Sequence, residues 1–134
     1  MKKDYKPENY NSVAPYFCVE GAQKFASFLH HLFGAEELRK YVGSDNKIIH
    51  MEVRIDDSII MIGDSTISNP PKMQNIHVYV SDVDAIFNRA IELGCKSLQA
   101  PVQKKDEPDR RCVFTDIEGN LWSVGTQMEL IDKN

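Results

Sequence analysis

The sequence lacks the features that mark membrane and secreted proteins. Its longest apolar runs, such as SIIMIG at 58–63, are far shorter than the roughly 20 residues that a membrane-spanning helix needs. The amino-terminal MKKDYKPENYNS has two lysines but no apolar stretch after them, so it does not resemble a secretory signal. We therefore expect a cytoplasmic protein with no membrane partner.

An excess of positive charge and a paired set of cysteines are also missing. The 134 residues contain 16 Lys and Arg against 20 Asp and Glu, which gives a net charge of −4 at pH 7. Because proteins that bind phosphate backbones need a basic surface, this balance argues against a nucleic-acid partner. Cys18, Cys95 and Cys112 are odd in number and fit no zinc-ligand spacing, so we predict that they are buried thiols.

The chain does contain one sequence pattern that occurs twice. Residues 16–34 read YFCVEGAQKFASFLHHLFG, and residues 77–94 read HVYVSDVDAIFNRAIELG. Each stretch passes from a strand-like run through a short polar step into an amphipathic helix that ends on glycine. We take Ser81 as the N-cap of the second helix.

Alternating apolar and polar residues predict the remaining elements. The predicted strands are 13–19, 36–42, 47–55 and 58–63, then 75–80, 96–99, 111–116 and 120–126, with helices at 21–33 and 81–94. One domain, 1–134, then consists of module one at 12–64, a Pro-containing linker at 65–73 and module two at 74–127. Each module has the order β-α-β-β-β. A lone unit of this kind covers one face of its sheet with a helix, so two copies can share their bare faces.

The residues that carry this repeat also resemble a known family. They are VAPYFCVEGAQKFASFLHHLFGAEEL, KIIHMEVRIDDSIIMIGD, IHVYVSDVDAIFNRAIELG and FTDIEGNLWSVGT, within residues 12–127. They resemble the vicinal oxygen chelate superfamily of glyoxalase I, bleomycin-resistance proteins and extradiol dioxygenases, and most of all a poorly characterised glyoxalase-like bacterial branch. The resemblance implies an α+β fold in which tandem βαβββ modules form a curled mixed sheet, or cup, with helices on the outside. It also implies a homodimer.

The resemblance further indicates where a metal would bind. Active members hold a divalent ion in the cup through the first and last strands of each module, and these places are Ala14, Met61, Asn75 and Ser123 here. Alanine offers no donor, and methionine suits soft copper rather than zinc, nickel or manganese. We therefore predict no divalent metal at the usual positions and no other cofactor.

Strand alternation indicates which other side chains share the cup. In IHMEVRI, the apolar face of Ile49, Met51, Val53 and Ile55 should pack under the helix, which turns His50, Glu52 and Arg54 towards the cup. Our catalytic candidates are His50, Glu52 and His77, because a histidine beside a carboxylate can act as a general base. Our ligand-binding candidates are Tyr16, Arg54, Met61, Asn75, Tyr79, Arg110 and Ser123.

Several of these residues have structural alternatives. His50 and Glu52 could lie on an exposed strand face or pair with Arg54 and Lys47, and His77 could be a hydrogen-bonded strand histidine. Alternatively, His50, Glu52 and His77 could hold a metal away from the usual positions. Trp122 has the opposite parity to Ser123, so we predict that it is a core residue.

Together these observations favour a small-molecule-binding protein of this fold, whose partner is a small organic molecule. The alternative is an enzyme of the lyase or isomerase type that uses His50, Glu52 and His77 for proton transfer or for an off-position metal. A third possibility is an interaction domain, although no residue singles it out.

Overall fold

The computed structural model describes residues 4–129 of the chain and divides it into two compact units, with the boundary between Lys72 and Met73. The first unit contains β1 (Tyr16–Val19), α1 (Ala22–Phe33), β2 (Glu36–Val42), β3 (Ile48–Ile55) and β4 (Ser58–Asp64). The second contains β5 (Asn75–Tyr79), α2 (Val83–Glu92), β6 (Lys96–Gln103), β7 (Asp109–Thr115) and β8 (Leu121–Gln127). Both units therefore have the predicted order β-α-β-β-β.

Each unit builds one four-stranded mixed sheet with the same topology. The strand order is β1-β4-β3-β2 in the first unit and β5-β8-β7-β6 in the second. The first strand of each unit runs parallel to the last, whereas the other neighbours are antiparallel. The α+β prediction is confirmed. In the described part of the chain, no helix is both long and apolar enough to cross a membrane.

The helix of the first unit packs on one face of its sheet. Phe25 and Leu29 of α1 are fully buried, and the Phe25 ring lies 5.2 Å from the ring of Phe17 on β1. Met51 and Val53 of β3 are buried on the same side, as their alternation predicts.

The prediction for the start of β3 was wrong. Ile48, and not Ile49, is buried, and Ile49 is 64% exposed. A register shift between Tyr41 and Val42 in the β2–β3 ladder changes the alternation at this end of β3. The backbone N–H of Ile48 also donates to Asp64 Oδ2 at 2.7 Å.

The last strand of each unit supplies a cap to the helix of that unit. Gly21, the N-cap of α1, provides no side-chain acceptor, and Asp64 Oδ1 instead accepts the Ala22 N–H at 2.7 Å. At the matching place in the second unit, Thr126 Oγ1 accepts the Val83 N–H at 3.0 Å. These contacts satisfy helix donors that would otherwise be left without a partner.

The N-cap of α2 is Asp82, so the prediction of Ser81 was wrong by one residue. The Asp82 side chain accepts the Ala85 N–H at 3.1 Å. Asp82 has extended backbone dihedrals, as an N-cap requires, and the helix begins at Val83.

The core of the second unit surrounds Trp122. Trp122, Phe114 and Val124 are fully buried, which confirms the prediction that Trp122 is a core residue. Its indole Nε1 donates to Asp116 Oδ2 at 2.7 Å, so the polar atom of this large side chain is satisfied.

The three cysteines are free and buried, as predicted. Burial raises the pKa of the Cys95 thiol to about 12 and that of the Cys112 thiol to about 11. These thiols are therefore inert at neutral pH.

Candidate functional site

The first sheet carries a polar cluster on the side away from α1. We call this side the His50 face, and its side chains are Tyr16, His50, Glu52, Arg54 and Met61. The alternation of β3 puts its polar residues here, opposite the buried Met51 and Val53. The ladders place Met61 between Tyr16 on β1 and Glu52 on β3.

Glu52 is the centre of this cluster. It is only 4% exposed, although α1, the helix of this unit, packs on the other side of the sheet. Its Oε2 lies 2.7 Å from His50 Nε2, and its Oε1 accepts a hydrogen bond from the Tyr10 hydroxyl at 2.5 Å. Arg39 Nε on β2 lies 3.8 Å from Oε1. The buried carboxylate is thus held from three segments of the first unit.

These contacts decide the ionisation of the cluster. Burial works against the ionised form of Glu52, but hydrogen bonds from Tyr10 and His50 outweigh it, and the pKa of Glu52 lies below its ordinary value. Burial, together with the hydrogen bond to Glu52, raises the pKa of Tyr10. Glu52 is therefore an ionised acceptor at neutral pH, and Tyr10 is a neutral donor.

The segment before β1 brings Tyr10 to the cluster. Asn11, the next residue, clamps the backbone of Ile59 on β4 with its side-chain amide. Its Oδ1 accepts the Ile59 N–H at 2.8 Å, and its Nδ2 donates to the Ile59 carbonyl at 3.1 Å. The guanidinium of Arg39 lies 5.3 Å from the centre of the Tyr10 ring, within the range of a cation–π contact.

Two further tyrosines flank His50. Its ring centre lies 5.9 Å from that of Tyr16 and 6.1 Å from that of Tyr41. The Tyr16 hydroxyl donates to the Ile49 carbonyl at 3.2 Å, and burial raises its pKa. The His50 face therefore combines aromatic surface with a charged, hydrogen-bonded centre.

Arg54 lies on the same side of β3 as His50 and Glu52, and it is half-buried. The alternative in which Glu52 pairs with Arg54 and Lys47 is wrong, because Tyr10, His50 and Arg39 take its oxygens. Within residues 4–129, Arg54 forms no hydrogen bond or ion pair, and its guanidinium is available to a ligand.

The second unit has its own polar group on the side of its sheet away from α2. His77 Nδ1 lies 3.0 Å from Ser123 Oγ, so this histidine is hydrogen-bonded on its strand. The rings of His77 and Tyr79 meet edge to face at 4.7 Å. The Tyr79 hydroxyl donates to Asp109 Oδ2 at 2.7 Å, and this hydrogen bond raises the pKa of Tyr79.

Arg110 is placed differently from these residues. It forms a two-pronged ion pair with Asp84 of α2, with both N–O distances at 2.8 Å. The contact lowers the pKa of Asp84. Arg110 therefore belongs to the helix side of its sheet, and Arg111, of opposite parity, lies on the side of Tyr79.

The residues at the family's metal positions do not fit a divalent ion. Ala14 precedes β1 and has no donor atom, whereas Ser123 is engaged by His77. Met61 and Asn75 supply only a thioether and an amide. Among residues 4–129 there is no group of three His, Cys, Asp or Glu side chains that could hold a metal ion.

The structure brings His50 and Glu52 together, as their spacing on one strand predicts. His77 lies in the second unit, and its convergence with them stays a prediction. Sequence reasoning missed Tyr10 and Arg39, which hold Glu52. The only signal was an aromatic residue within the polar start of the chain, and it does not name a partner 42 positions away.

Comparisons with known proteins give both relatives and structural neighbours. The uncharacterised protein Mb0911c of Mycobacterium bovis is 30% identical over an alignment that covers 85% of this chain and 82% of the relative. The genomically encoded fosfomycin resistance protein FosX of Listeria monocytogenes matches with a TM-score of 0.72 at 17% identity, over 88% of this chain and 94% of FosX. TnmS3, an antibiotic binding protein from Streptomyces sp. CB03234, matches with a TM-score of 0.63 at 20% identity, over 87% of this chain and 97% of TnmS3.

A family model gives a more specific match than these structural similarities. The family model of the Glyoxalase/Bleomycin resistance protein/Dioxygenase superfamily matches residues 10–124. This range includes the whole first βαβββ unit, the second unit as far as Val124 in β8, and the Tyr10–Glu52 contact. The chain belongs to this superfamily.

Proposed function

We propose that the protein binds a small organic molecule on the His50 face, without a divalent metal at the positions that active family members use. The observation that carries this proposal is the burial of Glu52 on the side of the sheet opposite to α1. Burying an ionised carboxylate costs several kcal/mol of solvation, on the order estimated for single ions in proteins. Hydrogen bonds from Tyr10 and His50 offset this cost, and they hold an ordered, charged group on this side of the sheet, which fits a role in recognition.

The repeat supports this reasoning. Val113 of β7 pairs with Ser123, as Glu52 of β3 pairs with Met61. The second unit therefore builds the same ladder with an apolar residue at the matching place. The ladder does not require a carboxylate there, which supports a role for the Glu52 cluster beyond joining the strands.

The surroundings of Glu52 indicate the kind of ligand. Tyr16 and Tyr41 offer aromatic surface beside His50, and Arg54 offers a half-buried cation. Small-molecule sites typically combine apolar surface with a few placed polar groups. FosX is described as a fosfomycin resistance protein and TnmS3 as an antibiotic binding protein, which supports a small organic ligand.

A thermal-shift screen of chelator-treated protein against antibiotics and small organic acids, phenols and amines tests the proposal. At one hundred times its Kd, a ligand adds about 2.7 kcal/mol to the free energy of unfolding, which is readily detected. Calorimetry should give one-to-one binding that Glu52→Gln weakens at least about tenfold, because the His50 ring beside the ligand loses the carboxylate that holds it. Glu37→Gln, on the exposed strand β2, is the matched control and should bind normally. A ligand that binds both variants equally would place the site elsewhere.

A second candidate function is proton transfer on a carbonyl or hydroxy-acid substrate, in the manner of a lyase or isomerase. The 2.7 Å contact between His50 Nε2 and the buried Glu52 favours it, because a carboxylate that orients an imidazole is a common arrangement for a general base. His77 would assist. Deuterium exchange at the carbon next to the carbonyl of a bound compound, lost in His50→Gln, would support this function. Binding without any exchange would leave the protein as a binder.

We also propose a cytoplasmic homodimer, as the family resemblance implies. Light scattering coupled to size-exclusion chromatography should then give twice the chain mass of 15.3 kDa. A monomer at micromolar concentration would contradict it.

A further inference from the structure

We infer that Tyr10 is a positioning residue that, together with Arg39, holds Glu52 against His50. Glu52 in turn fixes the His50 ring with its proton on Nε2. His50 Nδ1 is then the hydrogen-bond acceptor that is presented to the ligand. Only the last step, presentation of Nδ1 to a ligand, rests on the proposed function. The arrangement of the four side chains stands without it.

The position of the His50 proton follows from its partner. An ionised carboxylate can only accept hydrogen bonds, and His50 Nε2 lies 2.7 Å from Glu52 Oε2. Nε2 must therefore carry a proton. A neutral imidazole has one N–H, so its Nδ1 keeps a free lone pair. Within residues 4–129, Nδ1 has no hydrogen-bond partner.

Tyr10 is needed because a carboxylate held through one oxygen alone can rotate. Glu52 uses Oε2 for His50 and Oε1 for the Tyr10 hydroxyl, so the carboxylate plane is fixed through both of its oxygens. Arg39 lies near both Oε1 and the Tyr10 ring. Asn11 ties the segment to the backbone of Ile59, which keeps Tyr10 in reach of Glu52.

The chemical class of the ligand follows from this geometry. In the neutral ring with its proton on Nε2, Nδ1 accepts and cannot donate, so the group that faces it has to be a hydroxyl or an N–H. The rings of Tyr16 and Tyr41 on either side of His50 favour a planar ring next to that donor. The geometry points to phenols, enols and heteroaromatic N–H compounds.

Nitrogen-15 NMR of the ligand-free protein tests the positioning role. Long-range proton–nitrogen spectra resolve the tautomer of each of the four histidines, and His50→Gln assigns the His50 signals by their loss. We expect neutral His50 to carry its proton on Nε2. Glu52→Gln should move the signals towards a mixture of tautomers, because an amide can either donate or accept. A wild-type His50 with its proton on Nδ1, or with an even mixture, would overturn the inference.

Tyr10→Phe keeps the ring and removes only the hydroxyl. We expect the titration of the Glu52 carboxyl carbon to shift to higher pH and the His50 signals to move towards a mixture. Tyr5→Phe, at a 77% exposed tyrosine of the same segment, is the control and should change neither. The role of Tyr10 is refuted if Tyr10→Phe leaves both signals unchanged, or if Tyr5→Phe shifts them equally.

Matched pairs of phenols and their methyl ethers test the ligand class. The ether has no donor for Nδ1, so it should bind at least about tenfold more weakly than the phenol, the loss expected when one buried acceptor is left without its partner. Equal binding of ether and phenol would overturn the ligand class. If no compound of any class binds while the NMR results hold, the proposed function fails and the positioning role of Tyr10 survives.

Discussion

Replacing Glu52 by glutamine removes one charge and keeps the shape of the side chain. The carboxylate accepts two charge-assisted hydrogen bonds, from Tyr10 and His50. Such bonds contribute about 1.5–3 kcal/mol each and neutral ones about 0.5–1.5 kcal/mol, so the exchange should lower the free energy of unfolding by about 2 kcal/mol at pH 7. Arg39 adds little, because its side chain is 49% exposed and lies 3.8 Å away. For a chain of this length the melting temperature should fall by about 6–10 °C.

The pH dependence of this loss has a definite sign. The folded pKa of Glu52 lies below its ordinary value of 4.5. A carboxyl with a depressed folded pKa contributes stability that is complete above its unfolded pKa and is lost as the pH falls through the folded pKa. The difference between wild type and Glu52→Gln should therefore be constant from pH 7 to about pH 5.5 and shrink below pH 4.5.

Urea unfolding at pH 7, 5.5 and 4 measures both effects. Glu37→Gln, whose side chain is exposed on β2, serves as the control and should change the free energy of unfolding by less than about 0.5 kcal/mol. A loss in Glu52→Gln that is the same at pH 4 as at pH 7 would refute the ionised, hydrogen-bonded state of Glu52. So would a variant as stable as the wild type at pH 7.

Two further predictions concern the frame around the site. Asp64→Ala removes the acceptor of two hydrogen bonds of 2.7 Å, one of which caps α1. It should lower the free energy of unfolding in urea by about 3 kcal/mol. Thr126→Ala should cost only about 1 kcal/mol, because α2 keeps its own cap at Asp82, and equal losses in the two variants would contradict this account. Cys95 and Cys112, with thiol pKa values raised to about 12 and about 11, should react with a maleimide at pH 8 only after unfolding, and rapid labelling of the native protein would contradict their burial.

The repeated β-α-β-β-β order was predictable because local patterns determine it. The glycine after each helix stretch marks its end, and Gly34 indeed has the left-handed conformation, with φ of 73°. The alternation of Met51, Val53 and Glu52 correctly separated the two faces of β3. Periodicity of two fixes the face of a residue wherever the ladder is regular.

The contacts that define the candidate site were not predictable in the same way. Tyr10 reaches Glu52 across 42 positions of the chain, and, on the helix side of the second sheet, Arg110 reaches Asp84 across 26. Such pairs depend on the tertiary path of a segment, which no local pattern encodes. The burial of Ile48 instead of Ile49 has a similar cause, because a register shift and a contact with Asp64 determine it.

We propose that this member of the superfamily binds an organic molecule on a polar face that holds no metal. Calorimetric titration of chelator-treated protein with manganese, nickel and zinc at pH 7 tests it most directly, with His77→Ala titrated in parallel. We predict no stoichiometric binding of any of the three ions to either protein, because Ala14, Met61, Asn75 and Ser123 do not form a suitable donor set. Tight one-to-one binding that His77→Ala abolishes would contradict the claim and make the protein a metalloenzyme candidate with relocated ligands.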